Sequence, residues 1–298
     1  MFYKQKDRLR RWWFVRQTRR VLDSAPIELD AAGPALLSQL QHKDVQMYLA
    51  AIKSFARHLP PSEVHIVDDG SLTNDDRALL EKHVAGMVVH ELKACRERDL
   101  PVGGCWERLI AIARLSETRY VIQLDADTLT LGDIREVADA VRNAKSFSIG
   151  TWDDQTLEPA TVRARAAQRH LDSGKPHVQL LAESKFDQLQ YPQELRYVRG
   201  CAGFSGFAPG GGKLRLMQTL SAQLSSLIGD RWLEWGSEQV MSNLVVANQP
   251  EAIVLPHPEY ADCEKMLTGK TRFVHFIGTC RFRGGVYAHL ANKMLREG

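Results

Sequence analysis

The sequence predicts an α/β domain with a mostly parallel central sheet flanked by helices. Three observations carry this reading. Short runs of β-formers alternate with amphipathic stretches from residue 35 to residue 127. Two of the runs end in acids: Val64-His65-Ile66-Val67 leads into Asp68-Asp69-Gly70-Ser71, and Tyr120-Val121-Ile122-Gln123-Leu124 leads into Asp125-Ala126-Asp127. With 298 residues, 44% hydrophobic and 25% charged, the chain has the composition of a globular protein and the length to bury a large core.

The elements follow in order. Residues 35–40 read as the first strand. Asp44 is placed to cap a helix whose apolar face is Val45, Tyr48, Leu49, Ile52, Phe55 and Ala56, and Pro60-Pro61 ends it. Residues 64–67 form the second strand, 74–84 a helix, 88–92 a third strand and 106–115 a helix. The run 120–124 is too short for a helix and too apolar for a surface loop, so it reads as a buried parallel strand. Asp133 and Glu136 make a capping pattern ahead of a helix over 134–143. Residues 146–150 read as a strand and 161–170 as a helix. No apolar period continues past Leu171, so the rest of 158–195 is expected to be an insertion. Strands at 252–255 and 273–278, a further strand at 199–208 on one of two readings, a helix at 213–227, a helix through Asn248 after the stretch 232–239, and a last helix after Gly284-Gly285 complete the chain. No internal repeat is present.

Charge is unevenly placed. Residues 1–20 hold eight cations against Asp7, a net +7, so the remainder is −4 within a total of +3. Trp12, Trp13 and Phe14 sit inside this basic stretch. Residues 1–30 are therefore a segment apart from a domain over 31–298, whose nucleotide-binding half covers 31–143 and acceptor-side half 144–298. Two readings of residues 1–20 stand: peripheral contact with an anionic membrane, or a helix packing its aromatics on the domain with a solvated basic face. Nothing else supports a basic groove, so no nucleic acid partner is expected. No apolar run reaches the length of a membrane span, and Trp12 to Val15 is too short for a signal peptide. The five cysteines form no C-x-x-C pair and are odd in number, which predicts free thiols, a reducing compartment and a cytoplasmic location.

The chemistry centres on Asp125 and Asp127. Residues two apart on extended backbone project to one side, so both carboxylates arrive together just past the carboxyl end of a core strand, the edge where open α/β sheets bind ligands. Two close carboxylates repel, and a divalent cation relieves that. Asp68 and Asp69 end the neighbouring strand. A carboxylate there can accept from a ribose or a base N–H, or it can simply form an Asx turn. Arg108, near the start of its helix, either reaches a phosphate or is solvated. The Gly-rich run at 199–208 permits close approach by a second molecule or tight packing under a helix. Trp232 and Trp235 are either sugar platforms or core residues.

Together with a late His275-Phe276-Ile277-Gly278-Thr279-Cys280-Arg281, the two acidic strand ends resemble the GT-A-fold nucleotide-sugar glycosyltransferases. The late segment is most similar to the family of glycogenin and bacterial galactosyltransferases, whose signature is His-x-x-Gly-x-x-Lys-Pro-Trp. His275 and Gly278 match it, Arg281 stands at the Lys, and Phe282 and Arg283 replace Pro-Trp. The resemblance implies a transferase using a UDP-sugar donor and a glycan or lipid-linked hydroxyl acceptor. It implies a metal held by Asp125, Asp127 and His275, with Gly278 and Arg281 at the diphosphate. An imidazole in the set favours Mn²⁺ over Mg²⁺. Glu238-Gln239 corresponds to an acidic/amide pair at a helix start that meets donor sugar or acceptor. Glu238 is the base if the enzyme inverts; the late His motif favours retention. A sugar-phosphate nucleotidyltransferase and a non-catalytic nucleotide-sugar-binding protein are the alternatives. The first would need Gly after strand one, where Gln41-His42-Lys43-Asp44 stands.

Overall fold

The computed structural model describes residues 2–171, 174–278 and 280–296. In chain order, α1 (Phe2–Gln17) precedes β1 (Ala35–Leu40), α2 (Val45–Ala56), β2 (Glu63–Asp68), α3 (Asn74–His83), β3 (Val88–Glu91), α4 (Trp106–Leu115) and β4 (Val121–Leu124). Then come β5 (Thr128–Thr130), α5 (Arg135–Arg142), β6 (Phe147–Ile149), β7 (Glu158–Pro159), α6 (Ala160–Gln168), α7 (Val178–Glu183), β8 (Arg196–Tyr197) and β9 (Cys201–Phe207). The rest is α8 (Lys213–Ile228), α9 (Ser237–Ala247), β10 (Ile253–Leu255), β11 (Tyr260–Asp262), β12 (Phe273–His275) and α10 (Val286–Arg296).

The central sheet has seven strands in the order β10-β6-β9-β4-β1-β2-β3. All neighbours are parallel except β9, which runs antiparallel to both β4 and β6. Alternate residues of each strand enter opposite layers. Leu36, Leu40, Ile66 and Ile122 join a core with α2, α5 and α10, whereas Ala35, Leu37, Val67 and Val121 join one with α4, α8 and α9. A second sheet, β11-β12-β5, stands beside the end of β4, with β12 antiparallel to β5 and His275 opposite Thr128.

Four local expectations are corrected. Asp44 makes no side-chain cap on α2; its carboxylate takes Arg11 of α1 at 2.5 Å instead. The Asp133/Glu136 pattern forms no capping box, because α5 begins at Arg135. Asp133 pairs with Arg135, and Glu136 reaches across to Tyr260 and Arg272. The expected insertion contains α7, which buries Val178 and Ala182 under α9. Finally, Cys263 and Cys280 form a disulfide across a Cα–Cα distance of 6.0 Å, since β11 lies beside β12 and the chain turns back after it. Among the described residues Cys95, Cys105 and Cys201 are free thiols, so the reading of five free thiols, and the compartment inferred from it, loses its basis.

The aromatic triplet of α1 divides. Phe14 is 2% exposed and packs at a tilt against Tyr287 of α10, ring centres 4.4 Å apart, while Trp12 and Trp13 are each 56% exposed. Among the described residues no helix is long and apolar enough to cross a membrane.

Phe204 of β9 ties the two sheets together. It stacks on Phe273 of β12 at 3.9 Å and meets Phe147 and Phe55 at 5.2 and 6.1 Å. Phe204→Ala should lower stability by about 3–5 kcal/mol, read as a reduced urea midpoint. A change under 1 kcal/mol would show that β12 is held without this ring.

Candidate active site

One cavity of about 290 Å³ gathers most of the residues singled out from the sequence: Arg108, Asp125, Asp127, Glu238, Gln239, His275, Gly278 and Arg281 all line it. Their elements explain the meeting. Asp125 and Asp127 follow β4 directly, and Asp125 N–H donates to Gly203 O at 2.9 Å, extending the β4–β9 ladder into the loop. Thr128 Oγ1 closes the turn on Asp125 O at 2.9 Å. The chain then enters β5, and the β5–β12 pairing delivers His275 from 148 residues away. Phe276 N–H donates to Asp127 O at 2.7 Å, locking the two segments together.

The donor atoms of Asp125, Asp127 and His275 lie within 4.8 Å of one another, and Asp127 and His275 are buried. Ligands sharing one ion with bonds of about 2.1 Å sit up to about 4.2 Å apart, so small side-chain shifts bring these three onto a single divalent cation. His275 Nε2 is 3.2 Å from Asp127 Oδ1, and its Nδ1 is 2.9 Å from Cys201 Sγ. The sulfur thus holds the ring by one nitrogen and leaves the other facing the carboxylates, as outer partners of metal-binding imidazoles do. The set of two carboxylates and one imidazole fits a divalent ion.

Two arginines flank the acids. Arg281 pairs with Asp127 Oδ2, and its Nε donates to Phe276 O at 3.0 Å. Arg108 pairs with Asp125 and, at 3.1 Å, with Glu238 Oε1. Arg108 sits in the first turn of α4, after a turn in which Gly103, Gly104 and Cys105 all have positive φ. For Cys105 that backbone is strained. Glu238 and Gln239 open α9 behind Gly236.

Burial and these pairings set the protonation states. Burial raises the Asp125 carboxyl, with Arg108 and His275 pulling against it. Burial also disfavours charge on Asp127, but His275 and Arg281 overcome it and hold the group at about 2. For His275, burial favours the neutral ring, yet Cys201 and Asp127 push its pKa well above the usual value. Burial lifts Glu238 to about 7 against the pull of Arg108.

Asp68 and Asp69 are not brought into this cavity. Asp68 accepts from Gly70 N–H at 2.8 Å and Leu72 N–H at 3.3 Å and pairs with Arg77. Asp69 accepts from Ser71 N–H at 2.9 Å. Both form the plain turn after β2. The two candidate platforms separate cleanly: Trp232 is fully buried with its N–H on Ser221, whereas Trp235 is 76% exposed on the cavity wall.

Cys201, Gly203, Cys105 and His177 were not singled out by their chemistry, yet Cys201 holds His275 and all four line the cavity. Gly203 has a specific reason to be glycine: an added Cβ would stand 2.1 Å from His275 Cε1. Gly203→Ala should therefore push the ring off the carboxylates and weaken Mn²⁺ binding by about 10–100-fold, the usual effect of disturbing a ligand's outer support, with the fold preserved. Titration of Mn²⁺ by electron paramagnetic resonance reads this; unchanged affinity would mean that His275 is not a ligand.

No protein-family model matches the chain, and no curated protein matches it. Solved structures do. An active-site mutant of LgtC superposes with a TM-score of 0.52 at 11% identity, over 87% of this chain and 95% of that one. Mouse xyloside xylosyltransferase 1 matches with a TM-score of 0.44 at 14% identity, over 83% of this chain and 98% of that one. A mannosyltransferase from S. cerevisiae gives 0.40 at 10% identity, over 83% and 76%. The fold assignment rests on the first of these. With its seven-stranded, mostly parallel sheet and the Asp-x-Asp loop at the end of β4, the chain has the GT-A fold of the nucleotide-sugar glycosyltransferases.

Proposed function

We propose that this protein is a metal-dependent glycosyltransferase that moves a sugar from a UDP-sugar to a hydroxyl of a glycan or lipid-linked acceptor. The observation that carries this is the convergence of Asp125, Asp127 and His275 in one cavity with two arginines and the Glu238-Gln239 pair. Asp125, Asp127 and His275 would hold the cation, and Mn²⁺ suits the imidazole better than Mg²⁺. When bound, such an ion neutralises charge developing on a diphosphate leaving group.

The remaining roles belong to the chain itself. Arg281 presents a guanidinium beside the carboxylates, positioned to fork onto a diphosphate oxygen, and Gly278 lines the same wall without a side chain to obstruct it. Arg108 keeps Asp125 and Glu238 oriented and adds a second positive charge. The nucleoside is assigned to Asp68 or Asp69, at the same edge of the sheet as Asp125 but outside this cavity. Glu238 is buried with Arg108 on its carboxylate, and a carboxyl lifted to about 7 suits a general base if the reaction inverts. The late His motif favours retention, with Glu238 and Gln239 lining the sugar subsite. Trp235 offers an exposed ring beside them for a pyranose of the acceptor.

UDP with Mn²⁺ should raise the melting temperature. A hundredfold excess over Kd contributes about 2.7 kcal/mol, roughly 5 °C for a chain of this size. Arg281→Ala should weaken UDP binding far more than uridine binding. Equal losses for both ligands would remove Arg281 from the diphosphate site. Slow hydrolysis of a UDP-sugar by the wild-type chain distinguishes a transferase from a non-catalytic binder.

A further inference from the structure

The outer face of α1 and α10 carries two adjoining cavities of opposite character. One, about 330 Å³, is apolar and lined by Leu9, Trp13, Phe14, Phe282, Tyr287 and their neighbours. The other, about 590 Å³, is polar and cationic, with His289, Asn292, Lys293 and Arg296 on its wall. Gln17 and Gly285 line both, so the two lie side by side.

Helix geometry explains the juxtaposition. Leu9, Trp13 and Gln17 follow each other at i, i+4 and i+8 and so form one stripe of α1. Phe14, on the adjoining face, anchors the helix against Phe282 and Tyr287 at 5.7 and 4.4 Å. Arg11 fastens the far side through Asp44, and Gln46 donates to Val15 O at 2.6 Å. The stripe is therefore held in place yet unpaired with the domain. Leu9 is 64% exposed, and Trp12 and Trp13 stand beside it. Around these apolar groups Arg8, Arg10, Arg16, Arg19 and Arg20 are all exposed.

We propose that this face is an anionic phospholipid site. The phosphate of a headgroup enters the cationic cavity, part of an acyl chain lies in the apolar one, and the surrounding arginines meet neighbouring lipids. Charge complementarity selects this occupant: residues 1–20 carry +7 on a body of −4. Exposed tryptophans and leucine among arginines are the composition of a helix lying at a bilayer interface, where rings sit at headgroup depth. The site also adjoins the catalytic loop. Tyr287, whose ring contacts Phe14, donates its hydroxyl to Ala126 O at 3.3 Å, between the two candidate metal ligands. A surface-bound chain would thus hold its active site close to the lipid headgroups. The inference does not rest on the transfer reaction.

The test is co-sedimentation of the full chain with phosphatidylcholine vesicles, with and without phosphatidylglycerol, at low and high salt. Leu9→Ser combined with Trp13→Ser removes the apolar half; Arg296→Glu removes headgroup charge; Arg215→Glu, on α8, changes net charge equally elsewhere. The expected result is salt-sensitive binding to the anionic vesicles only. Arg296→Glu should weaken it by about fivefold or more, since each cation near such a surface is worth roughly that factor. The double variant should weaken it at least as much, and Arg215→Glu should leave it unchanged. Indifference to anionic vesicles at low salt overturns the proposal. So does an equal loss with Arg215→Glu, which would mean attraction by the whole body. Retention on an RNA oligomer without vesicle binding overturns it in favour of a nucleic acid surface. The thermal shift with UDP and Mn²⁺, measured on the same variants, reports the catalytic reading separately: it should persist in all of them. Its absence from the wild-type chain would leave the lipid result standing and remove the transferase.

Discussion

Two carboxylates side by side at the end of a core strand, Asp127 buried and Asp125 half-buried, are the constraint around which this molecule is arranged. Left alone, Asp125 and Asp127 would repel each other in a poorly hydrated place, and each would resist ionisation. The fold answers with three positive groups brought from two distant parts of the chain. Arg108 comes from α4, His275 from β12 and Arg281 from the segment that follows it. A concentration of paired charge of this kind, open to a cavity, is a costly feature for stability alone. It has the composition of a site built to hold a cation together with an anion.

The second sheet performs the assembly. β5 begins one residue after Asp127, and its antiparallel partner β12 ends on His275, so backbone pairing converts a large sequence separation into contact. Gly203 allows the ring to approach the central sheet, and Cys201 holds its far nitrogen. Phe204, two residues beyond Ala202 on the same strand, stacks on the strand that carries His275. The candidate metal ligands, their support and the core packing that fixes both are therefore contiguous, and a loss at one level should reach the others.

Much of this was legible in the sequence because it is local. An apolar run that ends in Asp-Ala-Asp announces a buried strand and its exit, and the strand–helix alternation through residue 127 announces parallel neighbours. What was not legible depends on contacts between remote segments. Nothing in the small residues of 201–207 says that β9 runs against its neighbours, because Gly, Ala and Ser carry no directional signal. The role of Cys201 exists only once His275 lies beside it. Asp44 has the right chemistry for a cap, but a nearby arginine offered a stronger partner. The Trp12-Trp13-Phe14 triplet has no period that says which ring turns inward; α10 decides, taking Phe14 and leaving two indoles outside. Cys263 and Cys280, 17 residues apart, meet because β11 lies beside β12.

The central claim is that one ion is shared by Asp125, Asp127 and His275. Pulsed electron paramagnetic resonance of the Mn²⁺–UDP complex addresses it directly, because a coordinated imidazole nitrogen modulates the echo of the metal. The account predicts one such nitrogen in the wild-type chain, altered by ¹⁵N-histidine labelling and absent in His275→Ala. A Mn²⁺–UDP complex with no imidazole nitrogen, or one whose nitrogen signal survives in His275→Ala, would contradict it.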